Sequence, residues 1–254
     1  QVTYYARVKA FDGKVWGQWY ETAFSKGVGR VLEADVNKDG RIGKLEDYHL
    51  IGVPGIIPAN PDPLGVFGAG QESGYTPSRL RLFQYEPAGQ DYVEYPDLTP
   101  VAPGQGFWAI TAIDRQLAVS GQFISDTTPY TVTVAPGWNM VGYPFLGRGA
   151  LEDVVVRYRE GGEWVEVPLG SQVDLKVEKE AWGYRSGYFA VRAGGAGLLD
   201  EWQAYWMNNV SSENVQLLFY PSGTVPASPR TTASSVLPSL TQMPGGISFI
   251  LSEK

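Results

Sequence analysis

Apolar and polar residues alternate from the start of the chain. Val2, Tyr4, Ala6, Val8 and Ala10 share one phase and Thr3, Tyr5, Arg7 and Lys9 the other, the period of a half-buried β-strand. An Asp12-Gly13 turn leads into Val15-Trp16-Gly17-Gln18-Trp19, so residues 1–25 are expected as a strand pair. Two strands cannot bury a core alone. Their partners are expected elsewhere in this chain, in another chain, or in sequence removed from it.

After residue 46 the apolar runs recur in a fixed order. Leu50-Ile51-Gly52-Val53-Pro54 returns as Met140-Val141-Gly142-Tyr143-Pro144, and Leu82-Phe83-Gln84-Tyr85 as Ala181-Trp182-Gly183-Tyr184. Gly106-Phe107-Trp108-Ala109-Ile110 returns as Ala204-Tyr205-Trp206-Met207-Asn208, and each series closes on a further apolar run, Leu117-Ala118-Val119 and Leu217-Leu218-Phe219. An order kept at similar spacing predicts two homologous β-domains, 47–125 and 126–223. The other explanation is coincidence among aromatic strands. Long helical periodicity is almost absent, and the expected fold is all-β: tandem sandwich- or barrel-like domains with an internal repeat.

From Thr224 to Gly246 the chain turns to Ser, Thr, Pro and Ala, the composition of an extended linker. Beyond it Ile247-Ser248-Phe249-Ile250-Leu251-Ser252 reads as one compact apolar strand. A bare terminal strand is an aggregation hazard unless a groove receives it. Ile247, Phe249, Ile250 and Leu251 are therefore candidates for strand donation into a neighbouring subunit, the alternatives being return to the chain's own domain or a loose tail.

Candidate chemistry is concentrated in Asp35-Val36-Asn37-Lys38-Asp39-Gly40-Arg41-Ile42-Gly43-Lys44-Leu45-Glu46. Side-chain oxygens recur at alternate positions (Asp35, Asn37, Asp39), a glycine follows for the sharp turn, and Arg41 offers a carbonyl. Glu46 closes the set with a carboxylate able to bind through both oxygens. Calcium takes six to eight oxygen ligands, and this spacing wraps them about one point. The stretch resembles the loop of EF-hands, and more closely the dockerin-type loops of secreted bacterial proteins. Its flanks differ. Gly27 and Gly29 lie upstream, and only a turn of helix fits between Lys44 and the Gly52/Pro54 break. A single loop with such flanks implies a structural Ca2+ clip within the connector 26–46, rather than a signalling switch or a cohesin-binding dockerin.

Two other resemblances point to the same setting. Tyr5-Ala6-Arg7-Val8-Lys9-Ala10, followed by a turn and a Trp-bearing strand, resembles the last two strands of a fibronectin type III domain. Gly137-Trp138-Asn139-Met140-Val141-Gly142-Tyr143-Pro144-Phe145, with Pro103-Gly104-Gln105-Gly106-Phe107-Trp108 before it, resembles a module of large secreted bacterial surface proteins. That module has no catalytic role attached to it. The resemblances imply an extracellular or cell-surface location.

Composition narrows the function further. The length of 254 residues accommodates two domains, each with its own core. With no cysteine, rigidity must come from packing, prolines and metal. A net charge of −7 leaves no basic stripe for nucleic acid. No run of eighteen apolar residues reaches the length of a membrane span. No signal peptide stands at Gln1, which fits a processed end or part of a longer precursor.

Motifs for catalysis are missing. The one histidine, His49, has no nucleophile motif to serve, and no hydrolase, zinc-protease or phosphate-loop pattern occurs. The carboxylate pairs Glu152/Asp153 and Asp200/Glu201 are expected as solvated surface acids. The eight Trp and fifteen Tyr leave two readings open. Aromatics fill sandwich cores and cross-strand pairs, or Trp16, Trp19, Trp164 and Trp202 present a stacking surface to polysaccharide. The resulting expectation is a non-enzymatic, calcium-stabilised structural protein: a surface layer, adhesin stalk or filament subunit whose main partner is itself. The alternative is a carbohydrate-binding accessory module of a secreted enzyme.

Overall fold

The alternating runs become antiparallel strands. The structure, a computed structural model, describes residues 4–11, 16–24, 28–32, 40–68, 74–195 and 197–221. Two strands, β1 (Tyr4–Phe11) and β2 (Trp16–Phe24), form a sheet of their own, with Tyr4 opposite Phe24. No third strand joins it among the described residues.

Residues 28–123 supply β3 (Val28–Leu32), β4 (Tyr48–Ile51), β5 (Ile56–Pro58), β6 (Leu80–Glu86), β7 (Asp91–Glu94), β8 (Phe107–Thr111), β9 (Arg115–Val119) and β10 (Gly121–Phe123). One short helix, α1 (Pro63–Phe67), interrupts them; Asp62 caps it by accepting from Gly65 N at 3.0 Å. Residues 130–219 supply β11 (Tyr130–Val134), β12 (Gly137–Gly142), β13 (Arg148–Ala150), β14 (Val155–Glu160), β15 (Glu163–Pro168), β16 (Val177–Tyr184), β17 (Tyr188–Arg192), β18 (Leu198–Asp200), β19 (Ala204–Asn209) and β20 (Val215–Phe219). Apart from α1 and three 3-10 turns, the described residues contain no helix, and the fold class is all-β.

Strand order is the same in two sheets. The first runs β4-β8-β6-β7 and the second β12-β19-β16-β17, all antiparallel. Registers coincide as well: Leu50 and Phe83 flank Trp108 in the first, and Met140 and Trp182 flank Trp206 in the second. In each half the first strand pairs with a strand near its end, β3 with β9 and β11 with β20. Residues 28–32, which the sequence reading assigns to the connector, therefore belong to a sheet. Their pattern is too short and too broken by glycine to stand out. Gly29 is required there, because a Cβ would lie 2.7 Å from the Leu117 carbonyl oxygen across the pair.

Apolar layers separate these sheets. One core joins β12-β19-β16-β17 to β11-β20-β14-β15 through Val141, Tyr205 and Met207 on one side and Val156, Leu217 and Phe219 on the other. A second core joins Leu82, Phe107 and Ala109 to Leu117 and Val119 in the first half. A third, mostly aromatic layer lies between the halves and contains Leu50, Tyr85, Trp108, Met140, Trp182, Tyr184 and Trp206. Hence β8 and β19 each carry an unbroken apolar run, since both of their faces are covered. Each large ring removes about 150–250 Å2 from water, on the order of 4–6 kcal/mol of gross transfer free energy.

The halves meet through backbone as well as rings. A Cβ on Gly52 would lie 2.8 Å from the Gly142 Cα, and one on Gly142 would lie 2.5 Å from the Gln105 carbonyl oxygen. Gly52 N donates to Trp202 O at 3.2 Å, and Gly142 N donates to Gly104 O at 3.0 Å. The ring contacts are equally reciprocal: Tyr85 meets Trp206 edge-on, and Tyr184 meets Trp108 edge-on, each at 5.1 Å between centroids.

Candidate functional site

The end of the proposed calcium loop opens onto the junction between the halves. Gly40 has φ 72°, a left-handed turn conformation that glycine adopts without strain. The chain then closes a 3-10 turn over Leu45–Asp47, where Asp47 is fully buried. Its Oδ2 accepts from Gly43 N at 2.9 Å and Lys44 N at 2.8 Å, which fixes the turn. Tyr184 Oη from the second half donates to Leu45 O at 3.2 Å, tying this turn to the opposite sheet.

Of the five expected calcium ligands, Arg41 and Glu46 are described and both are exposed. Asp35, Asn37 and Asp39 lie outside the described residues, as do the linker and the candidate donor residues Ile247, Phe249, Ile250 and Leu251. In the described part Gly40 takes a left-handed conformation, Glu46 is exposed, and its neighbour Asp47 takes up the backbone donors. Among the described residues, no three His, Asp or Glu side chains gather as a metal set.

Beside Glu46 is a cleft of about 340 Å3, lined from the first half by Arg30, Tyr48 and His49 and from the second by Tyr184, Arg185 and Ser186. The β16–β17 turn reaches it through Ser186, whose φ of 53° is uncommon for a non-glycine residue. The backbone of His49 bridges that of Arg185 across the junction. His49 is half-buried in this bridge.

Arg185, on the cleft wall, is tied to charges that lie outside the lining. Arg185 Nη2 contacts Asp200 Oδ2 at 2.5 Å and Arg148 Nε contacts Asp200 Oδ1 at 2.6 Å. Arg30 stands beside them, its pKa lowered first by burial and then by the Arg185 charge. Tyr184 is raised by burial first, then by the neighbouring Tyr188, Tyr48 and Glu46. Asp200, expected as a solvated acid, is thus the shared anion of two guanidinium groups. Glu201 Oε2 accepts from Gly147 N at 2.7 Å. Glu152 and Asp153 sit on the 3-10 turn Leu151–Asp153.

The tryptophans proposed as a stacking surface divide. Trp202 is 3 % exposed and packs into the first half's core, whereas Trp164 is 43 % exposed. Arg157 and Arg159 lie over the Trp164 ring at 4.7 and 4.1 Å. The side chains of Trp16 and Trp19 lie outside the described part. Sequence reasoning missed Arg30 and Arg185, and no local signal marks either; only the meeting of β3 with the β16–β17 turn brings them together. Comparison of the chain with family models, with curated proteins and with solved structures finds no match in any of the three.

Proposed function

We propose that this chain is a non-enzymatic, calcium-stabilised structural module of an extracellular or cell-surface assembly, such as a surface layer, adhesin stalk or filament. The observation that carries this reading is how its aromatic residues are used. Trp108, Trp182, Trp202 and Trp206 are all buried, three of them in the layer between the halves and Trp202 in the core of the half it does not belong to. Aromatic area used in this way stiffens the connection between the halves, which suits a load-bearing part. Among the described residues it leaves Trp164 as the exposed tryptophan of the candidate stacking set, which gives the platform of a carbohydrate-binding accessory module little support.

The matching registers and reciprocal ring contacts support reading the two halves as tandem copies of one β-module, related by duplication. The loop lies between β3 and β4, which supports a clip that holds the entry of the first half's chain against its four-stranded sheet. A two-stranded β1–β2 sheet with both outer edges unpaired among the described residues supports assembly by strand addition from a neighbouring subunit. Such head-to-tail contacts build an open filament unless the rotation closes.

Electron microscopy of the purified chain in calcium tests this reading. Filaments or regular arrays are expected, and deletion of residues 244–254 should leave soluble, calcium-binding monomers. Isolated particles at every concentration would overturn the assembly reading, and assembly unchanged by the deletion would overturn strand donation.

A further inference from the structure

Two neighbouring acids, Glu46 and Asp47, are turned to different sides of the chain. Glu46 is exposed and lines the cleft with Tyr184 and Ser186. Asp47 is fully buried, and its carboxylate is turned back along the chain, where Oδ2 accepts from Gly43 N and Lys44 N. Its other oxygen, Oδ1, is buried too and has no hydrogen-bond partner. The two amides belong to the stretch Asp35 to Glu46 that the spacing reads as a calcium loop, so the Asp47 carboxylate stands against the end of that loop.

A buried carboxylate oxygen that accepts nothing is costly, because the group has given up its hydration and only one of its oxygens has been compensated. Native structures avoid that cost by pairing the charge or by coordinating a metal. Calcium binds carboxylates through one oxygen or through both. Oδ1 is therefore an oxygen of the right kind at the end of the loop, whereas Glu46 is displayed to the cleft. We propose that Asp47, through Oδ1, is the carboxylate that closes the calcium shell, in the place that spacing alone gives to Glu46. Oδ2 keeps its two amides, so Asp47 binds through one oxygen and ties the ion to the 3-10 turn Leu45–Asp47. Asp35, Asn37 and Asp39 lie outside the described residues, and Asp47 is assigned on its own surroundings. The assignment rests on the calcium reading of the loop and adds to it the residue that closes the shell.

Calorimetric titration of the intact, chelator-stripped chain with calcium chloride tests the proposal on the parent, Asp47→Asn and Glu46→Gln. Asp47→Asn keeps an oxygen for the Gly43 and Lys44 amides but removes the charge, and it should weaken calcium about ten-fold or more. Glu46→Gln should change the affinity by less than about two-fold, as befits an exposed acid outside the shell. Carboxyl 13C resonances of the unsubstituted chain give a second measurement that stands if Asp47→Asn fails to fold. On adding calcium the Asp47 Cγ signal should move and the Glu46 Cδ signal should hold still. A carboxylate that only fixes the turn would lower the melting temperature equally with calcium and with chelator and leave the affinity unchanged, which would overturn the assignment. A loss that follows Glu46→Gln instead, or a calcium shift at Glu46 and none at Asp47, would overturn it while leaving the calcium loop in place. A parent chain that takes up no calcium would remove the loop reading itself, and the assignment with it.

Discussion

Gly104 and Trp202 occupy matching positions in the two halves, one residue before Gln105 and Gln203, and both take positive φ, 83° and 61°. Each offers its carbonyl to the glycine of the other half, Gly104 to Gly142 and Trp202 to Gly52. Their side chains break the symmetry. Trp202 fills space in the first half's core beside Ile51 and Val53, whereas a Cβ on Gly104 would lie 2.5 Å from Val132 Cγ2 of the second half. One half lends an indole and the other must lend nothing.

Trp202→Ala should therefore destabilise the chain by about 3–5 kcal/mol, the range for removing a buried large side chain. Trp202→Gly should be no worse, because the left-handed backbone costs a non-glycine residue about 1–2 kcal/mol. Urea unfolding measures both. A loss below about 1 kcal/mol for the alanine variant would contradict the packing described.

The contact between Gly52 and Gly142 predicts a coupled pair. Gly142→Ala puts a Cβ against the Gln105 carbonyl, and backbone cannot step aside as a side-chain end can. We expect a loss of about 1–3 kcal/mol. Gly52→Ala should behave alike, and the double variant should cost less than the sum, since one separation of the halves relieves both. Strict additivity in a double-mutant cycle would argue that the glycines do not share one contact.

Calcium should raise the melting temperature, and excess chelator should lower it. An ion that binds only the folded state adds about 2.7 kcal/mol at a hundredfold excess over its dissociation constant. Asp39→Ala should abolish the calcium response while leaving the chelated melting point unchanged. Calorimetry with and without calcium is the measurement, and melting indifferent to both the ion and the substitution rules out the clip.

Acid and alkali should act through different groups. Arg81 holds the Glu94 carboxyl below its ordinary value, with Nε–Oε1 at 2.9 Å and Nη2–Oε2 at 2.7 Å, and Tyr75 adds a third donor. Ionised Glu94 thus stabilises the fold above the ordinary carboxylate pKa, and that stability is lost as pH falls through the lower folded value. Glu94→Gln should flatten the acid limb of a stability–pH curve, by a modest amount because the pair is partly exposed.

At the other end burial, the largest cause in each case, pushes Tyr75, Tyr92 and Tyr205 from 10.0 up to about 12. These raised phenols contribute stability that is complete below pH 10 and lost as pH rises toward 12. Absorbance titration should show late, cooperative ionisation coinciding with unfolding. Tyrosines that all titrate near 10 in the folded chain would contradict the burial.

By itself the sequence determined the fold class and the positions of most strands, because alternation, aromatic and β-branched runs and Gly-Pro punctuation are local properties. It also pairs Trp108 with Trp206, and in the structure Trp108 stands opposite Leu50 in one sheet and Trp206 opposite Met140 in the other. Tertiary structure decided what those residues face. Apolar runs such as Phe107-Trp108-Ala109-Ile110 are continuous because sheets cover both sides, and no single strand reveals how many neighbours it will have. Val28–Leu32 became a strand only because Leu117 and its neighbours, far along the chain, supply the ladder. Trp202 looked like a surface aromatic beside acidic residues, and the left-handed turn that buries it depends on a backbone hydrogen bond from the other half. The cleft was invisible for the same reason: Arg30 and Arg185 belong to different halves, and long-range charge proximity is a property of the packed chain rather than of any segment within it.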